Sequence, residues 1–197
     1  SQCLNPLTDC GVITVTGLTI STDYHWQARV RDNKGGVSSW ISYGNNQTGE
    51  RDFRISGLAA NIQIISGNNQ TAVVDTSLTE PFVIKVTDAQ SQPVPGYTVT
   101  WTILQGKNGG TLSGGNTVTD SEGLSSRDYK LGKTTGTNII RATGSGLTGA
   151  PIDFNIEGLP GSISYFQVTG PSYAIVNQNF SPGITIRAYD VYNNVKT

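Results

Sequence analysis

The chain has 197 residues, with 13 basic and 14 acidic side chains, one His, two Cys and no Met. Val, Ile and Thr contribute 56 residues, whereas Ala, Leu, Glu, Lys and Met together contribute 30. β-Branched side chains fit a pleated sheet and lose rotamer freedom in a helix, so this balance excludes a helical bundle. A net charge of −1 and a pI of 5.7 leave no electrostatic footprint for a nucleic acid partner. One imidazole and one Cys pair offer too few ligands for most metal enzymes, and no apolar run approaches the roughly 18 residues of a membrane span. The chain opens on Ser and carries no signal peptide, which predicts a processed product or an excerpt of a longer polypeptide.

In residues 1–57, Gly11 to Leu18 and then Tyr24 to Arg31 carry the strand signals. Tyr24, Trp26, Ala28 and Val30 alternate with His25, Gln27, Arg29 and Arg31, the period of a half-buried antiparallel strand. Asp32-Asn33-Lys34-Gly35-Gly36 is a turn, and Val37 to Ile41 resumes a strand. Leu18, six residues before Tyr24, resembles the tyrosine corner of fibronectin type III domains. The run from Tyr24 to Asp32, then Ser38-Ser39-Trp40 and Asp52-Phe53-Arg54-Ile55, is similar to the last three strands of a bacterial fibronectin type III module. That resemblance implies a C-terminal part of such a domain, with Leu18, Tyr24 and Trp26 in its core.

Residues 58–160 carry about seven strands at the 8–12-residue spacing of a sandwich. Asn61 to Ser66 opens them, and Phe82, Ile84 and Val86 alternate before the turn at Ser91 to Gly96. Tyr97, Val99, Trp101 and Ile103 then share one face, with Thr98, Thr100 and Thr102 outward. Ile140 with Ala142, and Ile152, Phe154 and Ile156, supply further inward positions. The phrases Val83 to Asp88 and Pro93 to Trp101 resemble the bacterial Ig-like group 1 domain of invasin- and intimin-type adhesins. Gly110 to Ser113, Thr117 to Gly123, Gly136-Thr137-Asn138 and Gly146 to Gly149 support the match. Arg127 departs from it, standing where the family has an inward aliphatic residue; either its stem snorkels or the register differs.

Residues 161–197 hold Tyr165 to Val168 and Ile184 to Asp190, which look like the first two strands of a further bacterial Ig-like domain. Two strands cannot bury a core alone, so this stretch needs a partner. The fold expected is therefore all-β: tandem Ig-like and fibronectin III-like antiparallel β-sandwiches, one complete and two partial.

No arrangement of side chains rises to a catalytic, metal or cofactor site. His25 sits on the outward face of a predicted strand. Asp120 and Glu122 occupy a Gly-ended turn, where Asp hydrogen-bonds backbone. Asp88 and Asp120 lie at turns that lack the acid density of a calcium loop. Lys85 points outward by parity, against a Lys–Asn cross-link. Gly-Asn-Asn-Gln-Thr occurs at 44–48 and 67–71; with Asn179-Phe180-Ser181 it places glycosylation sequons at Asn46, Asn69 and Asn179.

The resemblances imply a non-catalytic structural segment of a long extracellular or cell-surface protein: a stalk, adhesin or filament spacer. Its partners would be neighbouring β-sandwich modules of the same chain or of adjacent subunits, and a host or cell-surface ligand. Two alternatives stand beside it. One is a filament subunit that polymerises by strand exchange through incomplete terminal modules. The other is an accessory module of a secreted polysaccharide-degrading enzyme, for which Trp40 is the exposed aromatic to test. An extracellular setting favours a disulfide between Cys3 and Cys10. Closing this short loop would stabilise by roughly 2.5 kcal/mol. Thiol titration of the secreted chain should read no free thiol before reduction and both after it.

Overall fold

The computed structural model describes residues 15–20, 22–42, 50–106, 109–179 and 181–196. Cys3, Cys10 and Asn46 lie outside the described residues. The chain divides into two compact units, Ser1–Gly57 and Leu58–Thr197. Every regular element among the described residues is a strand.

In the first unit, β1 (Asp23–Tyr24) pairs antiparallel with β4 (Phe53–Arg54), and β2 (Gln27–Ala28) with β3 (Ile41–Ser42). Tyr24 stacks on Phe53 at 5.4 Å, and its hydroxyl accepts the Thr19 N–H at 2.6 Å. Leu18 and Tyr24 are half-buried. Trp26 is not a core residue: it is 49% exposed. The ladder breaks between β1 and β2, where the Trp26 N–H turns to the Asp52 carboxylate at 2.8 Å. That break reverses the alternation, so His25 comes to lie half-buried beside Asp52, with Nδ1 3.2 Å from Oδ2.

The second unit is built on a sandwich. One sheet has the order β11 (Leu124–Arg127), β7 (Phe82–Thr87), β5 (Asn61–Ser66). The facing sheet runs β10 (Asn116–Val118), β8 (Thr98–Gln105), β13 (Gly136–Thr143), β14 (Ile152–Leu159), β6 (Gln70–Val73). A short pair, β9 (Thr111–Leu112) with β12 (Tyr129–Lys130), closes one end. After the sandwich, β15 (Tyr165–Thr169), β16 (Thr185–Tyr189) and β17 (Val195–Lys196) form a three-stranded antiparallel sheet. The architecture is that of an Ig-like β-sandwich with a partial sheet following it.

Period-two alternation puts Phe82, Ile84 and Val86 opposite Val99, Trp101, Ile140, Phe154 and Ile156, all buried. Phe82 is the hub, with ring centroids 4.7 Å from Phe154, 6.1 Å from Tyr129 and 6.4 Å from Trp101. The Trp101 indole N–H reaches the Thr117 hydroxyl at 2.9 Å, which satisfies the one polar atom its ring brings inside. Ile103 departs from the expected core and is 38% exposed. Burial falls along that face of β8 from Val99 through Trp101 to Ile103, because β8 runs eight residues against six in β7, and a bulge at Ile139/Ile140 bends the end away. Arg127 faces Phe82 in register; its stem is half-buried and its guanidinium donates to the carbonyls of Asn116 and Gly115.

The opening strand changes sheets between β5 and β6, and β6 then runs parallel to β14. Gly67 makes the crossing. Its φ is +88°, and a Cβ there would sit 2.2 Å from the Pro81 carbonyl oxygen. Gln70 fastens the crossing by donating to the carbonyls of Gly67 and Glu80 and accepting the Glu80 N–H. Gly96 has a similar φ of +72° with open space around it. Urea denaturation should therefore show Gly67→Ala costing about 3 kcal/mol and Gly96→Ala about 1 kcal/mol, the difference measuring the clash.

Candidate functional site: a hydrogen-bonded joint

Four turns among the described residues share one construction. Asp88 and Asp190 directly follow β7 and β16, Asp120 follows β10 by two residues and Asp32 follows the Arg31–Val37 bridge. Oδ1 of each accepts the N–H two and four residues on at 2.7–2.9 Å. In each, the Asp N–H also donates to the carbonyl four residues on. The residue three positions on has positive φ: Gly35, Ser91, Gly123 and Asn193. Asp suits this place because a short carboxylate reaches backbone donors two residues ahead, and Gly or Asn tolerates the left-handed step.

Asp190 does more than close its own turn. Its Oδ2 accepts the Gly161 N–H at 2.9 Å and the Asn194 side-chain amide at 2.8 Å. Gly161 belongs to the short connection that leaves β14, so one carboxylate ties the connection to the sheet after it. Asn194 spans the other way. Its amide donates to the Lys133 carbonyl at 2.9 Å, and its oxygen accepts the Thr135 N–H at 3.1 Å, both on the loop after β12. Asp190 and Asn194 are buried with every oxygen and amide hydrogen engaged.

Beside them Tyr192 reaches back to the sandwich. Its hydroxyl donates to Oδ2 of Asp75, whose Oδ1 lies 2.7 Å from Lys130 Nζ. Lys133 Nζ stands 5.4 Å over the Tyr192 ring. The Lys130 and Tyr192 hydrogen bonds hold the Asp75 carboxyl below its ordinary range, and the hydrogen bond to Asp75, with burial, raises Tyr192. Burial pushes Asp190 up, but the donors from Asn194, Gly161 and Tyr192 together outweigh it and hold the group low.

The residues considered in the sequence fall elsewhere. Asp120 spends its Oδ1 on the turn amides of Glu122 and Leu124, and Asp88 does the same with Gln90 and Gln92. Among the described residues no three His, Cys, Asp or Glu side chains come together as a metal site. Trp40 is exposed, with the Arg29 guanidinium 4.5 Å over its ring. Asn69 and Asn179 are exposed; Asn69 borders a shallow cleft of about 290 Å³ lined also by Gln70, Thr71, Thr137, Asn155, Ile156 and Glu157. Asp190 and Asn194 were not singled out from the sequence. The signal was present in the matching spacing of Asp88-Ala89-Gln90-Ser91-Gln92 and Asp190-Val191-Tyr192-Asn193-Asn194.

No family model and no curated protein matches the chain. Solved structures do. A C-terminal fragment of intimin, in complex with the intimin-binding domain of the translocated intimin receptor, is 20% identical with a TM-score of 0.38, over 58% of this chain and 36% of that one. InvD of Yersinia pseudotuberculosis is 16% identical with a TM-score of 0.47, over 91% of this chain and 62% of that one. FdeC, an Escherichia coli adhesin, is 13% identical with a TM-score of 0.45, over 91% and 65%. The chain thus spans less than two thirds of the length of each. These are similarities of fold.

Asp190→Ala strands buried amides and should cost about 2–4 kcal/mol of local stability, read as lost hydrogen-exchange protection at Gly161 and Asn194. A lowered Asp contributes stability above its unfolded value of about 3.9, lost as pH falls through the lower folded value. Protection at Gly161 should therefore hold from neutral pH to about 4 and then decline progressively as pH falls toward the lower folded value.

Proposed function

We propose that the chain is a non-catalytic structural segment of a long extracellular modular protein, a surface stalk, adhesin or filament spacer. The modules are read as the C-terminal part of a fibronectin type III-like domain at 1–57, an Ig-like group 1 domain at 58–160, and the first strands of another Ig-like domain at 161–197. The Tyr24 hydroxyl on the Thr19 amide supports the first of these, since that bond is the working part of a tyrosine corner.

The observation that carries the proposal is the Asp190 joint. A flexible tether needs only a solvated linker, whereas this connection is held by a buried carboxylate and a buried amide that bond both sides. Such a joint transmits orientation and load from one module to the next. Of the Asp120 and Glu122 pair, the Asp120 carboxylate is used by turn amides, which favours the structural reading over hydrolytic chemistry.

Backbone amide relaxation tests this. In the unchanged chain, residues 61–159 and 165–196 should report one rotational correlation time. In the double variant Asp190→Ala, Tyr192→Phe, the later residues should tumble faster and independently. Independent tumbling in the unchanged chain would overturn the proposal.

A further inference from the structure

The ladder of β15 with β16 repeats that of β5 with β7 over four paired positions, up to the bulge at Ile64/Ser66. In the sandwich Ile62 lies opposite Val86 and Ile64 opposite Ile84. In the later sheet Phe166 lies opposite Ala188 and Val168 opposite Ile186. The entry bond is also the same: Ala60 N–H donates to the Thr87 carbonyl at 2.8 Å, and Ser164 N–H to the Tyr189 carbonyl at 2.7 Å. The Asp88 and Asp190 turns follow, and the chain returns with Pro93 against Thr87 in one case and Val195 against Tyr189 in the other.

The two faces of the later sheet are chemically distinct. On one, Tyr165 stacks on Tyr189 at 5.1 Å, Tyr189 donates to Gln167 and Tyr165 donates to Asn193. That face is polar and satisfied. The other face presents Phe166, Val168, Ile184 and Ile186. Their sandwich counterparts Ile62, Phe82 and Ile84 are buried and Ile64 is 38% exposed, whereas Phe166, Val168, Ile184 and Ile186 are 62%, 63%, 57% and 64% exposed. Apolar area of this kind on one side of a sheet is an inside without its cover.

We infer that this face is a docking surface for a second antiparallel sheet of the design of β8, β13 and β14, carrying large apolar side chains at alternate positions. The repeat register argues for that occupant, because in the sandwich the same backbone arrangement is covered by such a sheet. Size complementarity argues against a second copy of the face itself. Phe166 for Ile62 offsets Ile184 for Phe82, but Val168 stands where the sandwich has Ile64 and Ala188 where it has Val86. This face therefore carries less bulk than the sandwich's own first sheet, and two of them would leave a core about 10 Å deep underfilled. The covering sheet brings the bulk, as Trp101 and Phe154 do in the sandwich. The inference rests on the modular reading above, whose own failure shows as independent tumbling in the unchanged chain, however the next experiment turns out.

The test fuses a second copy of residues 96–160 after Thr197 of the full chain. A companion fusion carries Phe166→Ile, Val168→Ile, Ile184→Phe and Ala188→Val, which restores the sandwich's own face and fixes what a closed module looks like. Both fusions should lose several-fold of the 197-residue chain's binding of a hydrophobic fluorescent dye and gain a second cooperative thermal transition. Ile186→Glu should abolish both changes in the fusion while leaving the thermal midpoint of the 197-residue chain unmoved. Closure of the companion alone would overturn the inference. So would a concentration-dependent dimer of the unchanged chain that Ile186→Glu disperses, which would assign the face to a second copy.

Discussion

A carboxylate that accepts two backbone amides at one oxygen shapes this chain more than any other single interaction. It requires Asp at the end of a strand, because a longer side chain overshoots the turn. It also requires a residue three positions on that accepts positive φ, supplied here by Gly35, Ser91, Gly123 and Asn193. Once Oδ1 is committed, Oδ2 is left pointing away from the turn. At Asp190 that second oxygen meets the connection from the preceding strand, and a local turn device becomes a joint between sheets. The hairpin and the joint therefore share one residue, and the position of the later sheet follows from closing its own turn.

The joint is polar where a packed apolar contact would have been simpler. A buried carboxylate is costly unless its hydrogen-bonding capacity is filled, and at Asp190 four N–H donors fill it. Apolar contacts are non-directional and let two surfaces slide, whereas amide and carboxylate geometry admits one arrangement. Asn194 strengthens that restriction, since the same side chain binds Asp190 on its own sheet and the Lys133 carbonyl on the sandwich. Fixing direction is what the proposed spacer role requires.

The two faces of the sandwich were legible because alternation survives wherever strands are long and covered on one side, as in Phe82 to Val86 and Val99 to Trp101. Trp26 and Ile103 show where that reading stops. Parity assumes an unbroken ladder and a facing sheet of equal length; the Asp52 side chain interrupts the first, and the shorter β7 withdraws the second. The joint was harder to see. Its signal is an Asp turn like three others, and what distinguishes Asp190 is the arrival of Gly161, a contact between residues far apart in sequence. Local spacing reports the turn and carries no information about the partner of the second oxygen.

The connection itself bears out how much the carboxylate controls. Leu159 ends β14, and Pro160 follows with fixed φ and no N–H to satisfy. Lys196 caps the Pro160 carbonyl at 3.2 Å. Gly161 would ordinarily be read as the flexible point of such a linker. A Cβ there, however, would meet Asp190 at 3.6 Å, an ordinary contact, and its φ is not in the left-handed region. Neither space nor backbone conformation demands glycine at this position, and its amide is pinned. The freedom that Gly161 has in an unfolded chain is restricted on folding by its hydrogen bond to Asp190, so the order of this connection comes from Asp190 and its partners and is absent from the linker's composition.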